Sequence, residues 1–198
     1  MKKSFLNAFL ALSIIFIMSG CGQPGGTKLD SFEGEISRKT VDYGSDANSV
    51  IDVVASSDAQ CGSQSLQINY DLAQEGYLFC ARGYGLDVLN ALWEAPMPDK
   101  VNWSKYQGIS FQMLGQGKGT IAFDVKDAGG EMWRFLVEDT TAGWREVVVG
   151  FDQFKVRTDR QPSTADGNKQ LDFPIQSFQF EPKTLGEGSV SFDCVELK

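Results

Sequence analysis

Apolar and polar residues alternate along most of this chain in short runs. Ser65–Tyr70 alternates with a period of two, and Gly108–Met113 puts Ile109, Phe111 and Met113 on one face. Thr120–Lys126 puts Ile121, Phe123 and Val125 on one face, with Ala122, Asp124 and Lys126 on the other. That period marks strands with one buried side. Tyr77–Gly85, Met132–Glu138, Trp144–Phe151, Ser177–Phe180 and Ser189–Leu197 read the same way. Asp127-Ala128-Gly129-Gly130 is a strong turn and predicts a hairpin between its flanking runs. No segment sustains a 3.6-residue period, and Asp87–Trp93 reads as one helical turn at most. Eight or nine short strands with turns between them predict an all-β, two-sheet β-sandwich.

The N-terminus departs from this pattern. Lys2 and Lys3 precede an apolar run, Phe5 to Met18, broken by Asn7 and Ser13. Such a run is short for a helix crossing a hydrocarbon core of ~30 Å and has the layout of a secretory signal. Met18-Ser19-Gly20-Cys21 resembles the lipobox of bacterial lipoproteins, which implies acylation of Cys21, palmitate included. Gly22 follows where an Asp would signal retention, so the resemblance implies an exported protein on the outer membrane. The expected organisation is a signal segment over 1–20, a Gly/Pro-rich tether over 21–28 and one domain over 29–198.

Composition narrows the chemistry. The formal charge is −8, and the signal segment holds two lysines and no acid, so the exported chain is more negative still. An acidic domain without a basic stripe is a poor nucleic-acid binder. Histidine is absent. Ser-His-Asp and Cys-His catalysis and histidine-ligated zinc are therefore excluded, and any catalysis would rest on carboxylates. Export permits a disulfide among Cys61, Cys80 and Cys194. Cys61–Cys80 is the expected pair, on the reasoning that adjacent strands present them; Cys80–Cys194 is the alternative.

Several segments then stand in a familiar order. They are Asp30-Ser31-Phe32-Glu33-Gly34, Gly62-Ser63-Gln64-Ser65-Leu66, Asn102 to Phe111, Gly143 to Phe154, and Phe192-Asp193-Cys194-Val195-Glu196-Leu197. This order resembles the galactose-binding-like jelly rolls, in particular family 11 carbohydrate-binding modules and the related CIA30-type domains. Gly150 departs from the proline usual there. The resemblance implies a concave face that holds a glucan chain, and often structural calcium.

Sugars need aromatic rings for their apolar faces and polar side chains for their hydroxyls. Tyr84 and Trp93 lie in a Gly-rich apolar segment and are the leading stacking candidates; Trp133 is a third, with Tyr77 and Arg157 behind them. Gln112, Asp124, Lys126, Arg134 and Glu138 share a parity opposite to the apolar positions and are expected to line one outer sheet face. Trp103 and Trp144 read as core or core-edge residues. For calcium the hard-oxygen candidates are Asp30, Glu33 and Asp193. Asp193 shares parity with Val195 and Leu197, which aims its carboxylate into the domain.

The expected function is non-catalytic binding of a glucan-like polysaccharide at the bacterial cell surface, with no cofactor for chemistry. One alternative is a structural or assembly lipoprotein docking on another envelope protein. The other is a small glycoside hydrolase using Asp124 and Glu138, which would need carboxylates ~5–9.5 Å apart.

Overall fold

A computed structural model describes residues 26–46 and 48–198. The signal segment, Cys21 and the tether up to residue 25 lie outside these. Among the described residues twelve strands form two six-stranded sheets. Sheet A has the order β3 (Val50–Ser56), β4 (Ser65–Leu72), β12 (Gly186–Leu197), β6 (Gly108–Gln116), β9 (Ala142–Gly150), with β1 (Thr27–Asp30) also on β12. Sheet B has the order β10 (Lys155–Val156), β8 (Met132–Glu138), β7 (Thr120–Lys126), β11 (Ser177–Pro182), β5 (Leu78–Gly83), β2 (Asp42–Ser45). All pairings are antiparallel, from the first ladder to the last. The β-sandwich expected from the alternation is the observed fold.

The alternation works as the sequence suggests. Phe123 and Phe180 of sheet B and Phe111 and Phe192 of sheet A are fully buried between the layers. Phe180 stacks on Phe192 at 3.7 Å between centroids, and Phe111 meets Phe123 at 4.7 Å. These contacts lock the sheets face to face. The Asp127–Gly130 turn closes the β7–β8 hairpin, with Gly130 at φ +81°, which a side chain would strain.

Some elements were not read from the pattern. β3 is an alternating Val50–Ser56 run outside the expected strands, and β1, β2 and β10 are too short to announce themselves. β1 also takes Thr27 and Lys28, the last residues of the expected tether. Asp87–Trp93 contains no helix.

The disulfide differs from both expected pairings. Cys61 is bonded to Cys194, across 133 residues, and Cys80 is a buried free thiol. β4 and β5 follow each other in the chain but belong to opposite sheets, so Cys61 and Cys80 are not neighbours. Cys80 faces the core, where burial raises its thiol well above the ordinary range.

Candidate functional site

The outer face of sheet B carries most of the polar candidates, and it is built by the parity rule. Between inward Phe123 and Val125 on β7, Asp124 points out. Beside inward Phe178 and Phe180 on β11, Ser177, Gln179 and Glu181 point out. On β8 the outward set is Met132, Arg134, Leu136 and Glu138, since Arg134 stands opposite Asp124. Ahead of and along β5, Tyr77 and Phe79 share that face.

An ion-pair network forms one part of this face. Arg134 grips Asp124 with Nε at 2.7 Å and Nη2 at 2.8 Å. Arg157 Nη1 reaches Asp124 at 2.9 Å and Glu181 at 2.6 Å. Glu181 also accepts from Arg134 at 2.6 Å, Lys183 at 2.5 Å and Gln179 at 2.5 Å. Asp159 closes the set on Arg157 Nε at 2.7 Å and Arg134 Nη1 at 3.2 Å. Three carboxylates meet three cations, so the network carries no net charge. Asp124 and Glu181 are fully buried, while Asp159 stays half exposed. Its hydrogen bonds from Arg157 hold the Asp159 carboxyl well below the usual carboxylate range.

Beside the network lies a groove of about 410 Å³. Tyr77, Phe79, Lys126, Ser177, Gln179 and Arg157 line it, with Asp42 at one end. Tyr77 and Phe79 lie near-parallel, 20° apart, with centroids at 5.6 Å. The segment from Gly85 to Asp87 forms one rim, and the segment from Arg157 to Ser163 contributes the other. Both rims are tied down. Asp87 N–H donates to Asp42 Oδ2 at 3.1 Å, and Lys126 Nζ donates to the Gly85 carbonyl. Burial lowers the Lys126 ammonium, against Asp87 and Asp42, which pull it back up. Gln161 bonds the N–H and carbonyl of Met132 and the Arg157 carbonyl, each at 2.8 Å, which pins the second rim to β8. Gly83, at φ +130°, lets β5 approach β11; a Cβ there would come within 2.5 Å of Ser177 Cα.

The sequence-derived candidates separate cleanly. Lys126 lines the groove, Asp124 and Arg134 belong to the network beside it, and Glu138 shares the same sheet face. Gln112 does not: β6 lies in sheet A, opposite Asp193 and Glu146. Trp93 is 3 % exposed, stacked 13° from parallel on Phe178, and donates its indole N–H to Pro96 at 3.2 Å. An indole so enclosed offers no face to a ligand. Trp133 is likewise buried, its N–H on Asp127 at 2.9 Å. Tyr84 is half-buried, edge-on to Trp93, and absent from the groove lining. Trp103 is core, but Trp144 lies on the outer face of sheet A, bonded to Asp58 at 2.8 Å. Tyr77 and Arg157, the lesser candidates, are groove residues. Phe79, Gln179, Glu181 and Asp159 were missed, although the parity of Ser177–Phe180 already sets Gln179 apart from the core.

The calcium candidates do not fit a shared cation. Asp30 is paired with Arg82 Nε at 2.8 Å and accepts from Phe32 N–H. Glu33 accepts from Ser63 and Gln64, its carboxylate closed by three bonds. Asp193 accepts from the N–H groups of Gln60, Cys61 and Cys194 at 2.7–2.8 Å. Each carboxylate accepts from separate protein groups, and among the described residues Asp30 and Glu33 do not cluster with Asp193 within coordinating reach. The parity argument for Asp193 fails at a bulge between Asp193 and Glu196. Asp193 faces outward and is buried by the Cys61 loop folded over it; that burial raises its carboxyl above the ordinary range. Cys61 and Cys194 lie close to it, but their sulfurs are joined and cannot act as thiolate ligands.

The hydrolase geometry is not met either. Glu138 stands opposite Thr120, four residues along β7 from Asp124. That spacing is about 13 Å along a strand, beyond the ~5–9.5 Å a carboxylate pair needs.

The model of a carbohydrate binding domain (family 11) matches residues 21–198. Among solved structures, the fold is similar to the family 11 module from Clostridium thermocellum in complex with a β-1,3-1,4-mixed-linked tetrasaccharide. The TM-score is 0.68 at 23 % identity, over 87 % of this chain and 95 % of that one. A family 11 module of a cellulosomal cellulase of the same organism is similar at TM-score 0.67 and 20 % identity, over 87 % and 94 % of the two chains. At these identities the likeness is one of fold. No curated protein matches the chain in sequence.

Proposed function

The chain belongs to the family 11 carbohydrate-binding domains, and from that premise we propose that the groove across sheet B holds a glucan-like chain at the bacterial cell surface. The domain binds polysaccharide and does not cleave it. The observation that carries the placement is the Tyr77–Phe79 pair, two near-parallel rings in a groove that also presents the polar side chains of Asp42, Lys126 and Gln179. A pyranose sets its apolar face against the Phe79 ring, which Tyr77 supports, while Gln179, Ser177 and Asp42 meet its hydroxyls. The pinned rims favour binding, because little of the site has to be ordered when ligand arrives.

Affinity electrophoresis in mixed-linkage β-glucan, the polymer related to the ligand of the similar module, tests this placement. Phe79→Ala weakens retention about tenfold, the effect of losing one well-packed aromatic contact, with an unchanged circular dichroism spectrum. Retention equal to wild type would move the site elsewhere.

Cys21 carries the lipid in this reading, supported by the Met18-Ser19-Gly20-Cys21 motif and its apolar leader. Since β1 starts at Thr27, the anchor is at most about 20 Å of extended chain from the domain. Cys21→Ala shifts the protein from the membrane to the soluble fraction on cell fractionation; continued membrane association would refute the anchor.

A further inference from the structure

Arg160, a groove residue, makes no ion pair and no hydrogen bond among the described residues. It is exposed and lines the groove, with its guanidinium carbon 5.4 Å from the Tyr77 ring centroid. The two other arginines nearby are fully engaged with acids: Arg134 and Arg157 share Asp124, Asp159 and Glu181, and Lys183 completes that neutral set. The remaining acids of the groove, Asp42 and Asp87, act on Lys126. No ion pair among the described residues includes Arg160.

Its placement is built. Gln161 fastens the rim to β8 immediately after Arg160. The Tyr77 ring lies within cation–π reach of this guanidinium, a contact that uses none of its N–H donors. Hydroxyls of a neutral sugar are already served by Ser177, Gln179 and Asp42. What Arg160 adds to the groove is a planar cation that makes no hydrogen bond among the described residues, and its natural complement is a carboxylate, taken bidentately.

We propose that Arg160 makes this groove selective for a glycan bearing uronic-acid carboxylates over its neutral counterpart. This rests on the groove being the glycan site, and the test separates the two. The full exported chain is titrated with mixed-linkage β-glucan and with the same polymer partly oxidised at C6 to glucuronate. Wild type binds the oxidised polymer about tenfold more tightly, as one charge-assisted bidentate contact predicts, and high salt erodes the difference. Arg160→Gln brings the ratio of the two affinities to about one, and Arg160→Lys keeps part of the preference.

Equal binding of both polymers by wild type, or an unaltered ratio in Arg160→Gln, overturns the inference. If Phe79→Ala still weakens both polymers in that case, the groove stands and only its selectivity falls. Binding of neither polymer by wild type removes the groove reading and this inference together.

Discussion

Replacing Arg157 with Met lowers the unfolding free energy by about 3–5 kcal/mol, the cost of stranding buried carboxylates without their counter-charge. Arg157 is 4 % exposed and bonds Asp124 and Glu181, both fully out of solvent. Removing it leaves two buried acids sharing Arg134 and one lysine. For a domain of this size the loss appears as a fall in melting temperature of about 10 °C, and urea titration should show a lower midpoint at an unchanged slope. Asp159→Asn is the internal contrast. Its carboxylate is half exposed, so its loss costs under about 1 kcal/mol. Equal small effects from both changes would mean that water reaches the network and screens it throughout.

Removing the Cys61–Cys194 disulfide, as the Cys61→Ala, Cys194→Ala double variant, costs about 4–5 kcal/mol. The bond closes a loop of 133 residues, so opening it returns much conformational freedom to the unfolded chain. The folded state loses less, because Asp193 still holds the loop through Gln60 and Cys61 N–H. The pair lies on sheet A and the groove on sheet B, so below its lowered melting temperature the variant keeps wild-type retention on glucan. Chemical denaturation under non-reducing conditions measures the loss, with Cys80→Ala as the control that leaves the bond intact. A difference under about 1 kcal/mol would show that the unfolded chain is already constrained without it.

These two expectations rest on features that differ in how far the sequence discloses them. The β7–β8 hairpin and the outward set Asp124, Lys126, Arg134 and Glu138 follow from alternation around an Asp-Ala-Gly-Gly turn, because a strand's side-chain direction is a property of its own two-residue period. Gln112 has the same local signature as Asp124 and lies on the other side of the molecule. Nothing within β6 records which sheet it joins. Trp93 shows the converse: a Gly-rich surroundings suggests a loop, yet its ring fills the gap over Phe178. Aromatic burial depends on what the rest of the chain leaves uncovered.

By itself the sequence determined that this is an all-β sandwich whose faces divide into apolar and polar sets, that histidine chemistry is absent, and that the order of its segments resembles family 11 carbohydrate-binding modules. Each of these is local or compositional. Only the tertiary structure decided which polar residues share a groove, that Cys61 meets Cys194, that Asp193 turns outward at a bulge, and that Arg160 makes no ion pair among the described residues. Those depend on strand order and register, which bring together residues far apart in the chain. The physical reason is that the free energy of a contact depends on proximity in space, whereas the alternating pattern specifies only direction along a strand.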